Sequence, residues 1–139
     1  MLNSSVRTAP DHRKFMSAVF LTFSGNCREA LTFYQTCFGG SLQFKSFEKQ
    51  LDGYGAIPVV SGSLVAESII IHGSDLVHDE GRILGNYMAI FIHCRDTYTR
   101  KKLVGDLEFS KSDSLVRNDD DDQLIEITDA FDVRWILYV

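Results

Sequence analysis

Few side chains in this 139-residue chain are spaced to carry out chemistry. The best single candidate is His72, which ends an apolar segment and whose ring nitrogens can bind a metal or orient a ligand. On such a segment a histidine is more often hydrogen-bonded in a core or pocket than bound to a metal. The acidic run at residues 119–122 lacks the central glycine and the glutamate spacing of an EF-hand, so we interpret it as a solvated turn.

The three cysteines, Cys27, Cys37 and Cys94, form no metal or redox motif. Their number is odd, and Cys27 and Cys37 are too far apart for a CxxC pair. Buried, reduced thiols of a cytoplasmic protein fit this pattern. Residues 1–14 lack the apolar core of a signal peptide, and no apolar run approaches the roughly 20 residues of a membrane span. We therefore expect a cytoplasmic protein with no membrane partner.

Length and charge narrow the class of protein further. The length predicts one domain, which we place at residues 17–139 after a mobile tail at residues 1–16. The formal net charge of −5 argues against a nucleic-acid partner, which would need a basic face. No nucleophile motif, phosphate-binding glycine loop or zinc spacing occurs. The sequence thus assigns no catalytic residue and no cofactor.

Sequence signals for the helices and strands that would position a site are strongest at residues 19–40. Alternating large apolar side chains at residues 19–23 predict a strand buried on both faces. Asn26 then predicts a helix start, with Glu29 reaching back to the backbone as in a capping box. The apolar residues that follow at spacings of three and four give this helix one buried face. Gly39 and Gly40 can adopt the left-handed conformation that ends a helix.

The remaining elements repeat that order. A second helix is predicted from a cap at Asp96 to about Leu107. The order is then β-α-β-β-β followed by β-α-β-β, which indicates an internal repeat whose second copy is degenerate. We place the first module at about residues 17–84 and the second at about 85–139. The other strands are predicted at residues 41–48, 57–64, 67–73 and 87–93, near Leu115, and at 123–139 with a bend at Asp129.

Four phrases of the sequence carry a family resemblance. Residues 23–40 read FSGNCREALTFYQTCFGG, and residues 128–135 read TDAFDVRW. They resemble the phrases FxGNCxEAxxFYxxxFGG and T-D-x-F-G-V-x-W of the bacterial PhnB-like group, often labelled demethylubiquinone-methyltransferase-like. That group belongs to the vicinal-oxygen-chelate superfamily, which has the glyoxalase and bleomycin-resistance fold. Residues 70–75 (IIHGSD) and 85–94 (GNYMAIFIHC) are similar to the same group in the same order.

The resemblance implies an α+β fold of two βαβββ-type modules. These form a curved mixed sheet around a central cavity, with the helices outside, and superfamily members of this length are usually twofold homodimers. The methyltransferase label implies a site for a methyl-donor cofactor, but no glycine-rich strand–turn–helix signal for one occurs.

Superfamily enzymes hold a divalent metal in this cavity, with His, Glu or Gln ligands on the first and last strands of each module. The resemblance puts Val19, His72, Tyr87 and Ile136 at those positions. Only His72 is an effective donor, whereas a catalytic metal typically has three protein ligands. A slip of one residue in register brings in apolar side chains and restores no donor set. We therefore expect a protein without a metal or other cofactor.

These considerations favour a metal-free protein that binds a small molecule in the cavity and homodimerises. Arg134 is expected either to hold an anionic group of the ligand or to pair with an acidic side chain at the rim. One alternative is a metal-dependent lyase or dioxygenase of the same superfamily with relocated ligands. Another is a dimeric interaction or structural paralogue. The expected lining of the cavity is Val19, Leu21, His72, Tyr87, Arg134 and Ile136.

Overall fold

The computed structural model describes residues 14–48, 57–75, 82–109 and 122–139. The predicted strand near Leu115, most of the predicted tail and most of the acidic run lie outside these residues. The elements within them follow the predicted order, except that two strands stand where one closing strand was expected. They are β1 (Val19–Thr22), α1 (Cys27–Phe38), β2 (Ser41–Ser46), β3 (Val59–Val65), β4 (Ile70–Ser74), β5 (Ile90–His93), α2 (Thr97–Leu107), β6 (Leu124–Thr128) and β7 (Arg134–Tyr138).

The described strands form two sheets with related topology. The first sheet has the order β1-β4-β3-β2, and its β1 runs parallel to β4 while the other neighbours are antiparallel. The second sheet has the order β5-β7-β6, with β5 parallel to β7 and β6 antiparallel to it. In both modules, therefore, the first strand leads into a helix and pairs with the last strand. The predicted α+β fold of two related modules is confirmed.

Helix α1 begins where predicted, but a residue from the sheet caps it. Asn26 occupies the N-cap position, and its side chain makes no capping hydrogen bond. The buried Asp75, which follows β4, takes this role instead. Its Oδ1 accepts hydrogen bonds from the backbone N–H groups of Gly25 and Cys27, each at 2.9 Å. The prediction that Asn26 caps the helix is therefore wrong, because a carboxylate distant in sequence satisfies the helix start.

Helix α2 is capped as predicted. Oδ1 of Asp96 accepts a hydrogen bond from the backbone N–H of Thr99 at 2.7 Å. Hydrogen bonding by Thr99 favours the ionised carboxyl and lowers the pKa of Asp96 below its usual range. Neither helix, within the residues that the structure describes, is long and apolar enough to cross a membrane.

The predicted closing strand is in fact a pair of antiparallel strands, β6 and β7. The buried Asp129 reverses the chain between them, because its Oδ1 accepts from the backbone N–H groups of Phe131 at 2.8 Å and Val133 at 3.1 Å. Asp132 has a φ of +67°, a left-handed conformation that aspartate adopts more readily than most residues. The bend predicted at Asp129 is thus a complete reversal of direction.

The two modules share one core, and a buried polar contact joins them. The ring centroid of Trp135 lies 5.6 Å from that of Tyr34 and 5.4 Å from that of Phe38, both on α1. The Tyr34 hydroxyl and the Trp135 indole N–H donate to Oδ2 of Asp129 at 2.6 and 2.8 Å. Burial, together with the Asp129 carboxylate, raises the pKa of Tyr34, so its hydroxyl stays protonated and remains a donor. Asp129 therefore links α1 of the first module to the second sheet.

Candidate functional site

A cavity of about 720 Å³ lies along the boundary between the modules. It is bounded by β1, by the segment 82–91 that leads into β5, and by the turn 132–134 that enters β7. Both β1 and β5 are edge strands of their sheets in the described part of the chain. The volume falls within the range of small-molecule sites, about 300–1,000 Å³.

A second cavity, of about 570 Å³, lies along the same boundary and shares part of β1 and β5 with the first. Among its described lining residues, the only charged side chain is that of Glu67. The larger cavity has two arginines, Arg82 and Arg134, among apolar residues. Because apolar walls with a few polar groups are typical of ligand sites, the larger cavity is the better candidate.

Large apolar side chains line this cavity and stay open to solvent. Tyr87 is 93% exposed, Phe20 63% and Phe91 59%. Met88 and Ile83, also on the lining, are exposed as well. Contiguous exposed apolar side chains on a folded domain mark a contact with a ligand or another protein.

Strand pairing separates His72 from two of the predicted lining residues. In the β1–β4 pair, Phe20 lies opposite His72 and Val19 lies opposite Ile71. Ile71 is fully buried and His72 is exposed, so Phe20 and His72 share the open face of the sheet. Val19 and Leu21 lie on the other face, where Leu21 packs against the core. Val19 and Leu21 therefore do not share a sheet face with His72, because neighbouring residues of a strand point to opposite faces.

The predicted site residues are only partly brought together. Val19, Leu21, Tyr87 and Arg134 line the larger cavity, because β1 is an edge strand and can contribute from both faces. His72 and Ile136 are not among the described residues of its lining. Ile136 is instead half-buried on the second sheet.

Arg134 is held by the protein itself. Its Nε and Nη2 donate to Oε2 of Glu126 on β6, at 3.0 and 2.7 Å. Its Nη1 donates to the carbonyl oxygens of Asn86 and Met88 at 2.7 and 3.0 Å. Of the two predicted roles, pairing with an acidic side chain at the rim is the one observed. Arg134 fixes the segment 86–88 along the cavity, and it is not an unpaired cation awaiting an anion.

Arg82 lines the same cavity, and sequence reasoning missed it. Its Nη2 donates to the carbonyl oxygen of Phe131 at 2.8 Å, and its guanidinium carbon lies 5.6 Å from the ring centroid of Phe23. No predicted strand or helix includes Arg82. Nothing local distinguishes it from a solvated arginine, since the turn at Phe131 is 49 residues away.

The cysteines do not supply a reactive thiol to the cavity. Burial raises the pKa of Cys27 to about 12 and that of Cys37 to about 11, and it also raises the pKa of Cys94. All three thiols are therefore protonated at neutral pH, and the thiolate is the form that reacts or binds metals. They are free cysteines in the structure, and none lines the cavity.

Solved structures with the same fold include PhnB-like proteins. Protein PA1353 from Pseudomonas aeruginosa is 22% identical, with a TM-score of 0.68 over 90% of this chain and 97% of its own. A PhnB protein from Bacillus cereus is 16% identical, with a TM-score of 0.65 over 91% of this chain and 98% of its own. An Arabidopsis thaliana gene product is 17% identical, with a TM-score of 0.51 over 90% and 98%.

At these identities the similarity concerns the fold alone. No family model matches the chain, and no curated protein matches it. The glyoxalase-type fold of PhnB-like proteins, which the sequence resemblance implied, is nevertheless confirmed by structures that cover nearly the whole chain.

Proposed function

We propose that this protein binds a small molecule in the cavity between its modules, without a catalytic metal. The observation that carries this proposal is the 720 Å³ cavity, whose lining includes large apolar side chains that are exposed to solvent. A ligand with an apolar body would cover them, and each Å² of apolar surface removed from water contributes roughly 25 cal/mol. The arginines on the wall would restrict the orientations in which such a ligand can bind.

The positions of the potential metal donors support the metal-free part of the proposal. Pairing puts Phe20 beside His72 in the first sheet and Phe91 beside Ile136 in the second. These positions lie on the first and last strands of each module, the strands from which superfamily enzymes take their ligands. Only His72 among them carries a ligating atom. Within the described ranges, no group of three or more His, Cys, Asp or Glu side chains could hold a metal ion.

Two alanines provide a matched test of the cavity. Ala89 lines it, whereas the exposed Ala130 does not. A thermal-shift screen of small acidic and neutral compounds against the wild-type protein is expected to yield ligands with an aromatic or apolar body. Ala89→Trp should weaken their binding about tenfold or more, or about 1.4 kcal/mol, because the indole occupies the space. Ala130→Trp should leave it unchanged.

Two results with the purified protein would contradict the proposal: one concerns ligand binding and the other concerns metal content. Equal binding by both tryptophan variants, or no ligand at all, would contradict the cavity as the working site. Elemental analysis should find no stoichiometric zinc, nickel, iron or manganese. One equivalent of metal per chain, removed together with a measurable activity, would favour the metal-dependent lyase or dioxygenase instead.

We also propose that the working form is a cytoplasmic homodimer. In the described residues each sheet has two edge strands, β1 and β2 in the first and β5 and β6 in the second, and unpaired edges favour pairing or cover by another chain. Light scattering at micromolar concentration is expected to give twice the chain mass of 15.7 kDa. A monomer under these conditions would rule the dimer out.

A further inference from the structure

We infer that the ligand of the cavity is a monocarboxylate with a flat apolar body, and that Arg82 binds its carboxylate. This inference rests on the proposed function and adds the chemical class of the ligand. The two arginines of the cavity wall differ in their hydrogen bonding. Arg134 uses all three of its nitrogens on Glu126 and two carbonyl groups, whereas Arg82 donates one hydrogen bond, to Phe131.

Arg82 makes fewer hydrogen bonds to the described residues than its guanidinium allows. A guanidinium carries five N–H groups in a planar fork that suits the two oxygens of a carboxylate. Four of those of Arg82 have no acceptor among the residues that the structure describes, and no described carboxylate lies within ion-pair distance of it. The side chain is only partly exposed, and it lies over the ring of Phe23. The Phe131 hydrogen bond and the ring thus hold the cation in place, and within the described part of the chain most of its donors have no acceptor.

The charge of the wall favours an anion with a single charge. Glu126 neutralises Arg134, and the exposed carboxylate of Asp132 also lines the cavity. A dianion such as a phosphate monoester would meet one available guanidinium and one repelling carboxylate, which is a poor match for its charge. A carboxylate needs only the guanidinium.

The apolar part of the lining determines the body of the ligand. The aromatic residues Phe20, Tyr87 and Phe91 all line this cavity and are exposed. Aromatic side chains interact well with flat rings in stacked or edge-to-face arrangements, which add to the gain from apolar contact. A flat hydrophobic acid would therefore place its ring among these side chains and its carboxylate on Arg82.

Isothermal titration with naphthoate and naphthamide tests this directly, since the two share an aromatic body and differ in charge. We expect the wild-type protein to bind naphthoate about tenfold or more tightly than naphthamide, as charge-assisted hydrogen bonds predict. Arg82→Met should abolish that preference while it leaves naphthamide binding unchanged. Arg95→Met is the matched control, because Arg95 is exposed, lies off the cavity and pairs with Asp96. It should keep the preference.

Each other outcome is decisive. Equal binding of naphthoate and naphthamide by the wild-type protein, or a preference that survives Arg82→Met, would overturn the role of Arg82 and leave the cavity as a neutral site. Failure of both compounds to bind would overturn the proposed ligand class together with the aromatic site. Tighter binding of naphthyl phosphate than of naphthoate would show that the site prefers dianions. If Arg82→Met does not fold, Arg82→Lys should still lower the preference, because an ammonium cannot match the planar fork.

Discussion

Asp129→Ala is expected to lower the free energy of unfolding by about 4 kcal/mol or more, since each buried donor left without an acceptor costs about 1–3 kcal/mol. The Asp129 carboxylate accepts four hydrogen bonds, from two backbone N–H groups of its own turn and from Tyr34 and Trp135. Alanine would deprive all four donors of their acceptor. Urea denaturation followed by far-ultraviolet circular dichroism measures the loss.

Two matched variants identify the origin of the loss. Tyr34→Phe removes one donor and leaves the carboxylate with three partners, so it should cost about 1–2 kcal/mol. Asp122→Ala removes an exposed carboxylate and should change stability by less than about 0.5 kcal/mol. A cost for Asp129→Ala no larger than that for Tyr34→Phe would show that Asp129 does not hold the modules together.

Gly40→Ala should cost about 3 kcal/mol or more, because overpacking and an unfavourable backbone conformation each cost about 1–3 kcal/mol. Gly40 has a φ of +99° and lies between α1 and β2. A Cβ there would lie 2.4 Å from the carbonyl oxygen of Val65 and 2.7 Å from the Cα of Ala66. Val65 is the last residue of β3 and pairs with Ser41 and Ile70, and Ala66 follows it directly, so neither can move without disturbing the end of β3.

Two other glycines provide controls with the same chemical change. Gly39 also has a positive φ, of +74°, but its Cβ would meet nothing within 4 Å, so Gly39→Ala should cost less than Gly40→Ala by at least about 1 kcal/mol. Gly105 lies in α2, has no positive φ and has open space around it, so Gly105→Ala should stabilise by about 0.5–1 kcal/mol. Equal losses at Gly39 and Gly40 would mean that β3 adjusts freely.

The sequence by itself determined the order and the approximate limits of the elements. The first helix, predicted to start at Asn26 and to end at the Gly39–Gly40 pair, is found at Cys27–Phe38, and the second ends at Leu107 as predicted. These predictions succeeded because helical spacing of apolar residues, an aspartate cap and a Gly-Gly end are local signals. The two phrases around residues 23–40 and 128–135 then identified the fold.

The tertiary structure alone decided which side chains form the site. A strand shifted by one residue exchanges its two faces, so only pairing with β4 could place Phe20, and not Val19, beside His72. Contacts distant in sequence decided the rest. Arg134 pairs with Glu126 across the β6–β7 pair, and Arg82 donates a hydrogen bond to Phe131, 49 residues away. Such long-range partners decide which arginine is fully paired within the described residues and which is not, and a linear pattern of residue types does not encode them.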